Sequence, residues 1–164
     1  MTNTNFLIRR QEPDDAVALH TVYSQPKVIR ETTMLPHPSL HLWQKSGDEP
    51  RGMTRLVLST DERVVGNIAL ITCQSPRRRH SAEIAMAVHD DWQGQGFGFA
   101  LLSEALALAD NWLNMRRVEL EVYTDNERGV RLYQRCGFEI EGTLKHYAYR
   151  DGEYADVYSM ARLR

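Results

Sequence analysis

Hydrophobic positions along the chain switch between two spacings, and the switches delimit its elements. The run "FLIR", Phe6 to Arg9, predicts a short opening strand. "EPDDAVALHTVYSQP" follows, with Ala16, Leu19 and Tyr23 three to four apart, the period of a helix. Pro13 suits the first turn of that helix, Asp14 and Asp15 suit its positive end, and Pro26 stops it. The pattern then weakens between residues 30 and 52, under Pro36, Pro38, Gly47, Pro50 and Gly52. A short helix from Ser39 to Lys45 is expected there. "MTRLVLST" and "RVVGNIALITC" are apolar, β-branched runs separated by "DE" and predict a hairpin. "SPRRRHS" is a loop, and "AEIAMAVH" is the next strand.

The helical period is strongest after a cluster of glycines. Leu101, Leu102, Ala105, Leu106, Ala109, Trp112 and Leu113 predict one continuous apolar face. "RRVELEVY" alternates strictly and is a strand; "NERGVRLYQRCGF" is a second helix, closed by Gly137. The remainder is two strands around the turn "RDGE". The order β-α-(α)-β-β-β-α-β-α-β-β predicts a mixed α/β (α+β) domain with a largely antiparallel sheet and one β-α-β passage. Residues 1–164 are expected to form a single domain, without repeats or linkers.

Composition narrows the function classes. A net charge of −2 gives no electrostatic reason to expect nucleic acid as a partner. Cys73 and Cys136 form no metal-like spacing and are expected as two reduced thiols. His37 and His41 are four apart but have no evident third ligand, so no metal is expected. The start "MTNTNFLIRRQEPDD" lacks the apolar core of a signal peptide. No apolar run approaches the ~18 residues of a membrane span. A cytoplasmic enzyme or binding domain, with no membrane partner, is the expectation.

The candidate chemistry lies in "WQGQGFGFALL". A helix starting near Gly96 presents unpaired N–H groups and a partial positive charge at its first turn. Glycines there let a ligand approach the backbone closely, which makes an anion site suited to phosphate. The bland alternative is a flexible strand-to-helix connection. No Lys-Ser or Lys-Thr follows, and Gly94-x-Gly96-x-Gly98 is not the dinucleotide spacing, so neither a P-loop nor an NAD site is expected.

This segment resembles the Gln/Arg-x-x-Gly-x-Gly/Ala signature of the GNAT superfamily of N-acetyltransferases, with Gln93, Gly96 and Gly98 in the signature positions. "IAMAVHDDW" resembles that family's fourth strand, and "NERGVRLYQRCGFEIEG" its Asn…Leu-Tyr-x-x-x-Gly-Phe segment. "HPSLHLWQ" and "RDGEYADVYSMARL" are similar to bacterial members that acetylate small amines, L-amino-acid N-acetyltransferases among them. The resemblance implies a GNAT-like fold, a twisted central sheet of six to seven strands flanked by about four helices. It implies acetyl-CoA as co-substrate, with its pyrophosphate on the backbone of Gly94, Gln95, Gly96, Phe97, Gly98 and Phe99, beside Gln93. The pantetheine arm would run along Met86, Ala87 and Val88, where a backbone N–H could polarise the thioester carbonyl. On that strand Glu83, Ala85, Ala87 and His89 share a face of mostly small side chains, which fits either a ligand or tight helix packing.

The family also suggests who moves the protons. Tyr133 matches its general acid, and a phenol with pKa near 10 can protonate a leaving thiolate. Otherwise Tyr133 is a core residue with a wet tip. Asn126 matches an amide that touches the cofactor in relatives, and could equally be a helix N-cap. An amine attacks only as the free base, so a carboxylate is sought as proton acceptor. Glu121 ranks first, then Glu83, then Glu119, against the alternative that all three are solvated or salt-bridged. Glu31 is a weaker candidate to meet an acceptor ammonium, and the Ile29–Trp43 stretch would wall the acceptor site.

The expected activity is direct transfer of acetyl to a primary amine of a small molecule, an L-amino acid or derivative. A protein N-terminus, a polyamine, or a non-catalytic acetyl-CoA sensor are the alternatives. Tyr147, Tyr149, Tyr154 and Tyr158 could cover the sheet, wall the pocket or form a dimer surface. A homodimer is what relatives suggest.

Overall fold

The computed structural model describes residues 5–45, 49–61 and 63–164. The chain runs through β1 (Phe6–Arg10), α1 (Ala16–Tyr23), α2 (Pro26–Glu31), α3 (Leu40–Gln44), β2 (Met53–Thr60), β3 (Arg63–Thr72) and β4 (Ser81–Val88). It continues through α4 (Phe97–Asn111), β5 (Arg117–Tyr123), α5 (Glu127–Arg135), β6 (Glu139–Arg150) and β7 (Glu153–Leu163). Among the described residues the strands join one seven-stranded sheet in the order β1-β2-β3-β4-β5-β7-β6. Mixed α/β architecture is therefore as the apolar periodicities predict.

Every neighbouring pair is antiparallel except β4 and β5, the ends of the β-α-β passage through α4. Their parallel pairing covers only Ser81–Glu83 against Arg117–Glu119. Beyond it β4 keeps its antiparallel ladder to β3 as far as Val88, and β5 keeps its ladder to β7 as far as Tyr123. Each strand holds its outer partner and neither holds the other. The sheet opens as a wedge along Ile84–Val88, with backbone polar groups on the β5-facing edge of β4 left for something else to satisfy.

Alternation along the strands assigns the two faces. Ala82 and Ile84 of β4 and Val118, Leu120 and Val122 of β5 pack with Leu101, Leu102, Ala105, Leu106 and Ala109 of α4, and Phe138 joins them. On the other face Leu19 meets Val57, and Val22 and Val28 meet Ala87, so α1 and α2 cover the far end of β4. The sheet is thus covered by α4 on one side and only partly covered on the other.

Three local readings change. Pro26 does not merely stop α1: it sits in the first turn of α2, where its missing N–H costs nothing. Asp15 is more than a helix-end charge, since it is buried and takes two 2.8 Å hydrogen bonds from Arg9. Trp112 and Leu113 are not on the buried face, because α4 ends at Asn111 and Trp112 is left 81% exposed. The period continued in the sequence past the point where the backbone turns away. The "RDGE" turn is as expected, with Asp151 and Gly152 both at positive φ, the geometry of a tight hairpin.

Leu102→Ala should therefore destabilise by about 2–5 kcal/mol, since Leu102 has no exposed surface. Trp112→Ala should stay within about 0.5 kcal/mol of the parent. Urea unfolding of the two variants checks this; equal losses would contradict the burial just described.

Candidate active site

The wedge between β4 and β5 leads into a cleft of about 270 Å³. One wall is β4 at Met86, Ala87 and Val88; the opposite wall is α5 and the residue before it, at Asn126, Arg128, Leu132 and Tyr133. The floor is the start of α4, with Gly94, Gly96, Gly98 and Phe99. The rim is α2, with Lys27, Val28 and Glu31, followed by Thr32.

The glycines are placed as an anion site requires. Gly96 is the N-cap residue of α4, at φ +89°, and no side chain caps this helix end. A Cβ on Gly96 would meet nothing within 4 Å, so the approach to the backbone is open. Gly94 also has positive φ, at +77°. Gly98 serves packing, since a Cβ there would lie 3.3 Å from Leu132. The first N–H groups of α4 therefore have no acceptor outside the helix among the described residues, and the helix dipole lies behind them. Lys27 and Arg128 flank this floor. Neither belongs to a motif in the sequence, where both are isolated basic residues on polar segments.

The other expected cofactor residues divide. Gln93 lines the cleft, but its amide is occupied: Nε2 donates to the Val88 carbonyl at 2.9 Å, and Oε1 accepts from Arg128. It clamps the end of β4 to the start of α5. Gln95 lies outside the cleft lining and donates to the Asp91 carbonyl at 3.2 Å. Phe97 also lies outside the cleft lining, its ring buried against Phe6 and Trp92. Phe99 lies under the Arg135 guanidinium at 4.6 Å. Asn126 is the N-cap of α5 and accepts from the Gly129 N–H at 2.9 Å, while also lining the cleft.

The proton-handling candidates also separate. Tyr133 lines the cleft, packs edge-on against Phe138, and its hydroxyl has no hydrogen-bond partner among the described residues. Burial pushes its phenol up to about 12, with Cys136 and Glu31 adding to the shift, so it keeps its proton at neutral pH. Cys136 caps the end of α5, and burial raises its thiol away from the reactive thiolate. Glu119 is bound by Arg78 and Arg117, both at 2.6 Å, and is a structural ion-pair residue. Glu121 accepts from the Tyr147 hydroxyl at 3.1 Å. Glu83 has its proton affinity raised by burial, then by Glu121 and Glu119. Glu83 and Glu121 share the partly covered face of the sheet, and neither lines the cleft. Among the other tyrosines, Tyr149 and Tyr154 stack edge-on in the exposed β6–β7 hairpin, and Tyr158 packs on the core.

This wedge-and-glycine geometry is that of an N-acetyltransferase. Residues 17–138 match the acetyltransferase (GNAT) family, and the chain belongs to it. It is 40% identical to the L-amino acid N-acetyltransferase AaaT of Escherichia coli (strain K12), over 98% of this chain and 99% of that protein. Its fold superposes on an acetyltransferase of the GNAT family from Streptococcus pneumoniae with a TM-score of 0.83, at 27% identity over 98% of this chain and 100% of that one. It also superposes on the spermidine N-acetyltransferase from Vibrio cholerae, in complex with CoA and spermine, with a TM-score of 0.84. That pair is 26% identical over 96% of this chain and 95% of the other.

The capping part of Asn126 can be read by stability alone. Asn126→Ala should cost about 1 kcal/mol through the lost cap, and Asn126→Asp should restore it. Thermal unfolding without ligand reads the difference; equal stability of the three proteins would deny the cap.

Proposed function

We propose that this N-acetyltransferase moves acetyl directly from acetyl-CoA to the primary amine of a small molecule, an L-amino acid or a derivative. The observation that carries the proposal is the cleft where β4 and β5 part, floored by an uncapped helix N-terminus. A pyrophosphate fits that floor: the backbone N–H groups from Gly94 to Phe99, with Lys27 and Arg128 beside them, supply donors and positive charge. An extended amide-bearing arm fits the open edge at Met86–Val88, whose polar groups lack a strand partner on that side. Acetyl-CoA has both parts and supplies an activated acetyl group when bound.

The residues then do three things. The backbone near Ala87 and Val88 offers an N–H to the reacting carbonyl oxygen. Tyr133, partly buried and protonated, hands a proton to the departing sulfur. A carboxylate relieves the acceptor of its proton; Glu121 and Glu83 stand on the partly covered face outside the cleft lining, and Glu31 stands on its rim. The raised Cys136 thiol, outside the cleft lining, favours direct transfer over an acetyl-cysteine step. The amino-acid acceptor is supported by the 40% identity to a protein named for that substrate class.

Turnover of amino acids, amino-acid amides, spermidine and a short peptide, followed by thiol release, tests the acceptor. An amino acid or amide should lead the others by at least tenfold; spermidine leading would overturn the acceptor assignment. Tyr133→Phe should lower kcat at least about a hundredfold, with KM for acetyl-CoA changed little. A variant as active as the parent would remove Tyr133 from the chemistry.

A further inference from the structure

The geometry points to Glu31 as the carboxylate that receives the acceptor's ammonium and takes its proton. This deepens the amine-acetylation reading of the same cleft and rests on it.

Glu31 is the last residue of α2, and the backbone on either side of it is pinned. Arg30 bonds Asp151 at 2.6 Å and Asp125 at 3.1 Å. The Arg30 carbonyl accepts from Arg150 at 3.2 Å, and the Thr32 carbonyl accepts from the Tyr123 hydroxyl at 3.2 Å. These bonds tie the end of α2 to the end of β5 and to the β6–β7 turn. Glu31 sits between the tied residues and lines the cleft together with Tyr133.

Its carboxylate is unfinished. Oε2 is buried and has no hydrogen-bond partner among the described residues. Three guanidinium groups stand near enough to act on it, and each is committed elsewhere. Arg30 holds Asp125 and Asp151, Arg150 holds Asp125 and lies 4.3 Å over the Tyr123 ring, and Arg128 holds Gln93. A buried carboxylate oxygen without a donor is costly, and natural proteins complete such a group with a ligand or another charge. A neutral amide would satisfy the oxygen but not the charge. A primary ammonium does both.

Location and proton affinity agree with this. Glu31 acts electrostatically on Tyr133, the phenol assigned to the leaving sulfur, so the two acidic groups address the same end of the cleft. Burial raises the Glu31 pKa, and Asp125 raises it further against the pull of Arg150, Arg30 and Arg128. Tyr123 also faces it from β5 and is held neutral by burial. Glu121 is engaged by Tyr147, and Glu83 stands outside the cleft lining.

The step balances. The ammonium gives one proton to Glu31. The freed nitrogen bonds the acetyl carbonyl carbon, and the carbon–sulfur bond breaks with its electron pair on sulfur. Tyr133 protonates that sulfur, and the second nitrogen proton returns to the Tyr133 oxygen. Glu31 releases its proton to water, so one proton leaves per acetyl transferred.

The test compares Glu31→Gln, Glu83→Gln and Glu121→Gln with the parent, on whichever amine the parent acetylates fastest. An acceptor other than an amino acid would then overturn the amino-acid assignment and leave this comparison intact. Glu31→Gln should lower kcat/KM for the amine at least about a hundredfold and abolish the acidic limb of the kcat–pH profile. KM for acetyl-CoA should stay within about twofold. A carboxyl with a raised native pKa destabilises the fold above its unfolded pKa and regains stability as pH falls, so Glu31→Gln should raise the neutral-pH Tm. The proposal is overturned if Glu31→Gln keeps activity within threefold of the parent. It is equally overturned if only the acetyl-CoA KM rises, or if the acidic limb disappears in Glu83→Gln or Glu121→Gln instead. A lowered Tm with equal activity loss at every pH would assign Glu31 a structural part and also overturn it.

Discussion

The three-residue length of the β4–β5 pairing is the constraint on which the rest of the structure depends. Parallel strands in a sheet would ordinarily continue side by side, and nothing in the apolar patterns of β4 or β5 forbids it. Instead each follows its antiparallel neighbour, β3 or β7, and the two part after Glu83 and Glu119. The ion pairs of Glu119 with Arg78 and Arg117, and of Arg117 with Glu141, bind the closed end of the wedge. Exposed pairs of this kind contribute little individually. Their place at the vertex still joins the loop before β4, β5 and β6 where the sheet changes direction.

From that opening the site follows in order. The parted strand leaves a free edge at Met86–Val88. The chain must then turn sharply out of β4 to enter α4, and Gly94 and Gly96 supply the positive φ that the turn needs. The helix that begins there is anchored by fully buried Leu101 and Leu102, so its N-terminus is held rigidly at the mouth of the wedge. Gln93 ties Val88 to Arg128 and closes one side. The glycines therefore give the turn its positive φ and leave the backbone at the mouth of the wedge open to approach.

Much of the scaffold was legible in the sequence because it rests on local rules. The strict alternation of "RVELEVY", the three-to-four spacing before Asn111, and Asp-Gly at a hairpin turn each act over a few residues. The readings that changed needed more than the apolar period. Trp112 fits the helical period but lies past the end of α4 and is left exposed. Asp15 reads as a helix-end charge until Arg9, on another element, is known to lie against it. In the candidate site, the glycine motif and Tyr133 were visible as a pattern, whereas Lys27 and Arg128 carry no pattern at all. Glu31 was weak in the sequence for the same reason. Its significance comes from neighbours up to about 120 residues away that pin the backbone beside it and leave its own oxygen unpaired.

Hydrogen–deuterium exchange with and without acetyl-CoA tests the wedge most directly, because it reads backbone N–H groups. Binding in the cleft should slow exchange at Gly94–Phe99 and Met86–Val88, and leave the exposed β6–β7 hairpin unchanged. Protection confined to other segments, with these amides exchanging as before, would contradict the account.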